Sequence, residues 1–166
     1  MQRVFADPGS GWATPGFAGI VPTVAALVRA CAPEVTFTRF VAPAEPTGAW
    51  RTYYEQWAFA LQPPDAPLWD VVRELQPTGP TVNRTTFSKW GPELADRLGA
   101  QTMVLAGVST DCCVLSTPTA AADAGVPVQV VADACAGVDE ASHRKTLEVL
   151  ALYAPLVEIV TSADLL

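Results

Sequence analysis

At 166 residues and 17.5 kDa the chain has the size of one folding unit. Half of its residues are hydrophobic, 16% are charged and the mean hydropathy is +0.25, which excludes disorder as the default state. Ten Lys and Arg against 17 Asp and Glu leave a net charge of -7, the wrong sign for a phosphate-backbone binder, so nucleic acid is not an expected partner.

In chain order, Thr14-Pro15 predicts a helix running to about Cys31, with the proline at the first helical position. Val35 to Val41 reads as a strand, and a proline-rich loop follows. Residues 49–61 read as a very aromatic helix ended by Pro63-Pro64, and Trp69 to Leu75 as a shorter one. Pro80 to Arg84 is the end of a strand and Pro92 to Leu98 a further helix. From residue 100 the alternation is regular. Apolar runs at 102–107 and 128–132 are each followed by a helical pattern, the first containing Pro118 and the second capped by Asp139, and Leu156 to Val160 closes as a strand. Strand-helix alternation predicts an α/β fold, a three-layer α/β/α sandwich on a mostly parallel, doubly wound sheet.

Chemistry concentrates where the first of these runs ends. Gly107-Val108-Ser109-Thr110-Asp111-Cys112-Cys113-Val114 leaves a strand and enters a helix, and ligands of doubly wound sheets bind at that edge. A thiol in the first turn of a helix faces backbone N–H groups and the positive end of the helix dipole. Both favour thiolate, and the same N–H groups can hold an oxyanion. Buried, inert cysteine is the competing reading. Thirteen of the 14 aromatic residues lie at or before Trp90, which makes the first half the expected pocket wall. Gly9-Ser10-Gly11 has no preceding strand and no Gly-Lys-Ser/Thr, so it reads as a turn rather than a phosphate loop, and Asp7 as part of the turn Asp7-Pro8-Gly9. His143 is either a helix-surface histidine or a base for Cys113.

The octapeptide Gly-Val-Ser-Thr-Asp-Cys-Cys-Val, with Ala121-Ala122-Asp123-Ala124-Gly125, Asp133-Ala134 and the closing Thr161-Ser162-Ala163-Asp164-Leu165-Leu166, resembles the isochorismatase-like cysteine hydrolases. Met1-Gln2-x-x-Phe5 and Phe87-Ser88-x-Trp90-x-x-x-Leu94 extend the resemblance over nearly the whole chain. It implies a six-stranded parallel sheet between helices, an Asp-Lys-Cys triad with Cys113 as nucleophile, and a cis peptide at Val108-Ser109. The turn there would aim the N–H groups of Ser109 and Cys113 at the reacting carbonyl oxygen. It also implies Phe5, Trp12, Trp57, Phe87 and Trp90 as pocket walls, no cofactor, and association as a homo-oligomer, a dimer or tetramer. The metal-binding branch of the family places histidines after the second strand; Thr38-Arg39-Phe40-Val41 has none, so no metal is expected.

Two departures from the family pattern stand out. The family aspartate immediately precedes the Met-Gln pair, here Met1-Gln2, and an apolar strand precedes it, so the one expected domain, 1–166, reads as truncated at its N-terminus relative to the family. The family lysine falls at Arg84, which keeps its charge but hardly passes a proton, leaving Lys89 as the nearby ammonium or as a solvated lysine at a helix start. The expected function is hydrolysis of a small amide- or ureide-type C–N bond through a covalent cysteine intermediate, in the cytoplasm. The alternative is a catalytically silent member of the fold that binds a ligand or partner.

Overall fold

A computed structural model of the chain describes residues 1–166. Its elements run α1 (Arg3–Ala6), α2 (Phe17–Ala30), β1 (Phe37–Phe40), α3 (Trp50–Gln56), β2 (Thr81–Arg84), α4 (Pro92–Leu98), β3 (Met103–Val108), α5 (Leu115–Asp123), β4 (Val128–Ala136), α6 (Glu140–Ala151) and β5 (Val157–Val160). All strand pairs are parallel, β1 with β2, and β3 with β4 with β5. No helix is long and apolar enough to cross a membrane.

The side chains of β4 sort to two faces and so build the layers. Val131, Ala134 and Ala136 pack under α2 with Phe17, Ile20, Val24 and Leu27, while Val128 and Val130 pack against Leu94 of α4, Ala121 of α5 and Leu150 of α6. A strand covered on both faces needs apolar residues at consecutive positions, which is why residues 128–136 read as a nearly unbroken apolar run. The small residues of α5 let its backbone lie close to the sheet, and Asp139 caps α6 by accepting from Ser142 N at 2.6 Å. A third cluster joins Val4, Phe40, Tyr54 and Trp69, with Phe5, Trp12 and Phe87 packed on it, at the ends of β1 and β2.

β1 and β3 are each paired along one side only, and the first two residues of the chain lie between their ends. Gln2 is 2% exposed, and its side-chain amide does the work of a strand neighbour. Nε2 donates to Phe40 O at 2.8 Å and to Trp69 O at 2.9 Å, and Oε1 accepts from Phe40 N at 2.8 Å. Met1 packs beside Gly107 of β3, whose φ of +123° is what calls for glycine there.

Three sequence expectations need correction. The segment expected as a helix at Trp69 to Leu75 is two 3₁₀ turns, Pro67–Trp69 and Arg73–Leu75, around an extended link. The cause is competition for backbone groups, since Arg3 N donates to Asp70 O at 2.9 Å, Val72 N donates to Met1 O at 3.1 Å, and Val71 bridges to Gln2. The helix expected from Thr14-Pro15 begins at Phe17, because Thr14 is buried and its carbonyl takes the Phe17 N–H in a preceding turn. The expected helix over residues 49–61 stops at Gln56 and continues only as a 3₁₀ turn, Ala58–Ala60.

Replacing Gln2 by Ala orphans one buried donor and two buried acceptors. Gln2→Ala should therefore lose about 2–4 kcal/mol of unfolding free energy in a urea titration; a loss below about 0.5 kcal/mol would contradict this role.

Candidate active site

The polypeptide leaves β3 through a cis peptide between Val108 and Ser109 and enters α5 through one wide π-helical turn, Thr110–Val114. That turn presents Cys112 and Cys113 side by side, both half-buried, at the carboxyl end of the sheet. Ser109 Oγ donates to Asp111 Oδ1 at 2.7 Å, and the same oxygen accepts from Val138 N at 2.8 Å, tying the turn to the end of β4. Gly137 permits this closeness, since a Cβ there would stand 2.7 Å from Asp111 Oδ1.

The two thiols have different surroundings. Burial, the Asp111 carboxylate and the neighbouring Cys113 push Cys112 up to about 12, and its sulfur donates to Asp111 Oδ2 over a long 3.5 Å. Cys112 therefore stays a protonated thiol at neutral pH. Cys113 instead faces Lys89. The Lys89 side chain is not solvated; the residue is 4% exposed. Its Nζ donates to Thr86 O and, at 2.9 Å, to Phe87 O, and stands 5.0 Å from the Phe40 ring centroid. Burial pulls this ammonium below the usual lysine range, the Cys113 sulfur opposes that through its charge and a hydrogen bond, and the Arg84 guanidinium reinforces the lowering. The nitrogen of Met1 is buried close enough to Cys113 and Lys89 to sense the charge of both.

Arg84 lies near enough to Lys89 for its charge to act on it. Its guanidinium packs on Gly91, where a Cβ would meet Nη2 at 2.5 Å, and its buried Nε and Nη2 have no hydrogen-bond partner. His143 is turned elsewhere, its Nδ1 paired at 2.9 Å with the fully buried Thr110 hydroxyl. Lys89 is fixed to the cysteine's own helix by a buried bond, Lys89 N to Thr117 Oγ1 at 2.9 Å.

Over the cysteines opens a cavity of about 280 Å³, at the small end of ligand pockets. Phe5, Trp12, Trp57 and Phe87 line it, together with Phe40 and Tyr53, which the sequence reading did not single out. Trp90 does not line it and packs instead with Leu94 in the core on the α4 side of the sheet. Phe40 carried a usable signal, the last residue of a strand at the ligand-binding edge. Tyr53 lay unmarked in an aromatic helix, and burial, followed by its neighbours Cys112, Tyr54 and Cys113, raises its hydroxyl above the usual tyrosine range. A larger cleft of about 1130 Å³, lined by Arg3, Arg39 and Arg73 with Asp7, Asp70 and Glu74, contains neither cysteine nor Lys89.

These elements define a three-layer α/β/α scaffold with a cysteine-bearing turn at a strand end. The chain belongs to the isochorismatase family, whose domain model, described as Isochorismatase domain, matches residues 1–164. Among solved structures it is similar to an isochorismatase family protein from Desulfovibrio vulgaris, with 22% identity over 99% of this chain and 92% of that one and a TM-score of 0.86. It is also similar to a cysteine hydrolase from Pseudomonas syringae pv. phaseolicola (22% identity, 99% and 86% covered, TM-score 0.84) and to a nicotinamidase/pyrazinamidase from Acinetobacter baumanii (23%, 99% and 94%, TM-score 0.78). No curated protein matches the chain.

The Thr117 hydroxyl is the acceptor that keeps the Lys89 loop on α5. Thr117→Val should cost about 1–3 kcal/mol in thermal or urea unfolding by leaving a buried N–H unpaired, and Thr117→Ser, which keeps the hydroxyl, should recover most of it; equal losses in the two variants would contradict the assignment.

Proposed function

We propose that the chain is a cysteine hydrolase that cleaves a small amide- or ureide-type C–N bond through a thioester on Cys113. The carrying observation is that this sulfur lines an aromatic pocket and has the buried Lys89 ammonium beside it. In this reading the Cys113 sulfur attacks the carbonyl carbon, and the N–H groups of Ser109 and Cys113 receive the developing oxyanion. The Lys89 ammonium gives a proton to the departing nitrogen, so the C–N bond breaks with a neutral amine or ammonia leaving. Water then attacks the thioester, its proton returns to Lys89, and the acid leaves with the thiolate restored.

Lys89 rather than Arg84 fills the proton-carrying role. Burial lowers an ammonium toward the range where it can give and retake a proton, whereas a guanidinium keeps its proton throughout. Arg84 contributes its charge, which further favours proton release from Lys89. The membership in a family of hydrolases, and the structural likeness to a protein named as a nicotinamidase/pyrazinamidase, support a small amide as substrate. The ring-lined walls favour a substrate body that packs against aromatic faces.

Incubation with an activated acyl donor such as p-nitrophenyl acetate, followed by intact-mass analysis, tests the reading. One acyl group should appear on Cys113, vanish in Cys113→Ala and persist in Cys112→Ala, and Lys89→Met should slow turnover by about 10²-fold or more. Acylation that survives Cys113→Ala would overturn it.

A further inference from the structure

The wall of the cavity has an unusual charge balance. Six aromatic rings line it, and apart from the cysteine thiols and the Tyr53 hydroxyl Asp111 is its only ionisable lining side chain. One oxygen of that carboxylate is occupied structurally, with Oδ1 accepting from Ser109 Oγ and Val138 N. Oδ2 has only the 3.5 Å contact from the Cys112 thiol, which leaves most of its acceptor capacity unused. Lys89 does not neutralise it from within the pocket, because its Nζ is spent on Thr86 O and Phe87 O and it is not a lining residue.

A neutral apolar ligand filling this space would strip water from the carboxylate and give nothing in return, and an anionic one would be repelled. A cation meets two attractions at once, the carboxylate and the negative faces of the rings. On the hydrolase reading above, we infer that the substrate carries a compact cationic group of the alkylammonium class, seated among the rings with Asp111 as its counter-ion, while its scissile carbonyl points to Ser109 and Cys113. Asp111 is then a specificity-determining residue as well as the clamp that holds the turn.

Choline and its neutral isostere 3,3-dimethylbutan-1-ol separate charge from shape. Their binding to the full chain is to be measured by isothermal titration at fixed ionic strength, in the wild type, in Asp111→Asn and in Trp57→Leu. Choline should bind about tenfold more tightly than the isostere. Asp111→Asn, which retains an acceptor for Ser109 and Val138, should erase most of that preference and leave isostere binding within about twofold. Trp57→Leu tests the ring contribution by the same ratio, and serves alone if the Asp111 variant does not fold. Equal binding of the two probes, tighter binding of the isostere, binding of neither, or a preference that survives both substitutions would overturn the inference. Binding is read without turnover, so a protein that prefers choline yet forms no acyl-Cys113 loses the hydrolase reading, and one that acylates without the preference loses this inference alone.

Discussion

A buried ammonium set against a thiol is the interaction around which the rest of the site is organised. Lysine is almost never buried without partners, and here the partners are two backbone carbonyls, an aromatic face and the Cys113 sulfur. None of these is a carboxylate, so the ammonium is held without being neutralised by a salt bridge. Its positive field is left for the sulfur, and its own proton is loosened by desolvation. The fold keeps this arrangement by tying both groups to α5, Cys113 through the π-helical turn that begins the helix and Lys89 through its N–H bond to Thr117.

The two halves of the chain divide the labour. The later half supplies short strands and small-residue helices, which place the cysteine turn at a sheet edge with little side-chain bulk between layers. The earlier half supplies rings that have no regular sheet to cover and instead pack on one another, with Trp12 within 6.3 Å, centroid to centroid, of six neighbouring rings. Because Trp12 and Phe40 belong both to that cluster and to the pocket wall, the stability of the aromatic half and the shape of the pocket depend on the same contacts. Gln2 joins the halves at their meeting line, since its amide completes the hydrogen bonding of Phe40 beside the Met1 contact with Gly107.

Much of the fold was legible because period and punctuation agree after residue 100. Apolar runs and Asp139 as a cap each act locally, and the structure follows them within a residue or two at most boundaries. The 67–75 segment was not legible, because its backbone groups are claimed by residues 1–3 from the far end of the sequence. The same limit applies at the site. The cysteine turn is a local signal, a glycine and a short polar stretch between strand and helix, and it can be read from eight residues. The choice between Arg84 and Lys89 is non-local, because it turns on which side chain the 85–91 loop folds inward, and that is decided by the Thr117 hydroxyl 28 residues away in sequence and by the room that Gly91 leaves for the guanidinium. Phe40 and Tyr53 escaped for a related reason. Aromatic residues in a ring-rich segment look alike until packing selects which of them face the cavity.

The central claim is that Lys89 makes Cys113 the reactive sulfur of the pair, and the rate of alkylation by iodoacetamide at pH 6.5, resolved by peptide mass analysis for Cys112 and Cys113 separately, tests it most directly. The account predicts that Cys113 reacts at least about tenfold faster than a free thiol, that Cys112 lags well behind it, and that Lys89→Met brings Cys113 down toward the free-thiol rate while Arg84→Met lowers it less. An ordinary rate at Cys113 in the wild type, or a fast rate unchanged by Lys89→Met, would contradict it.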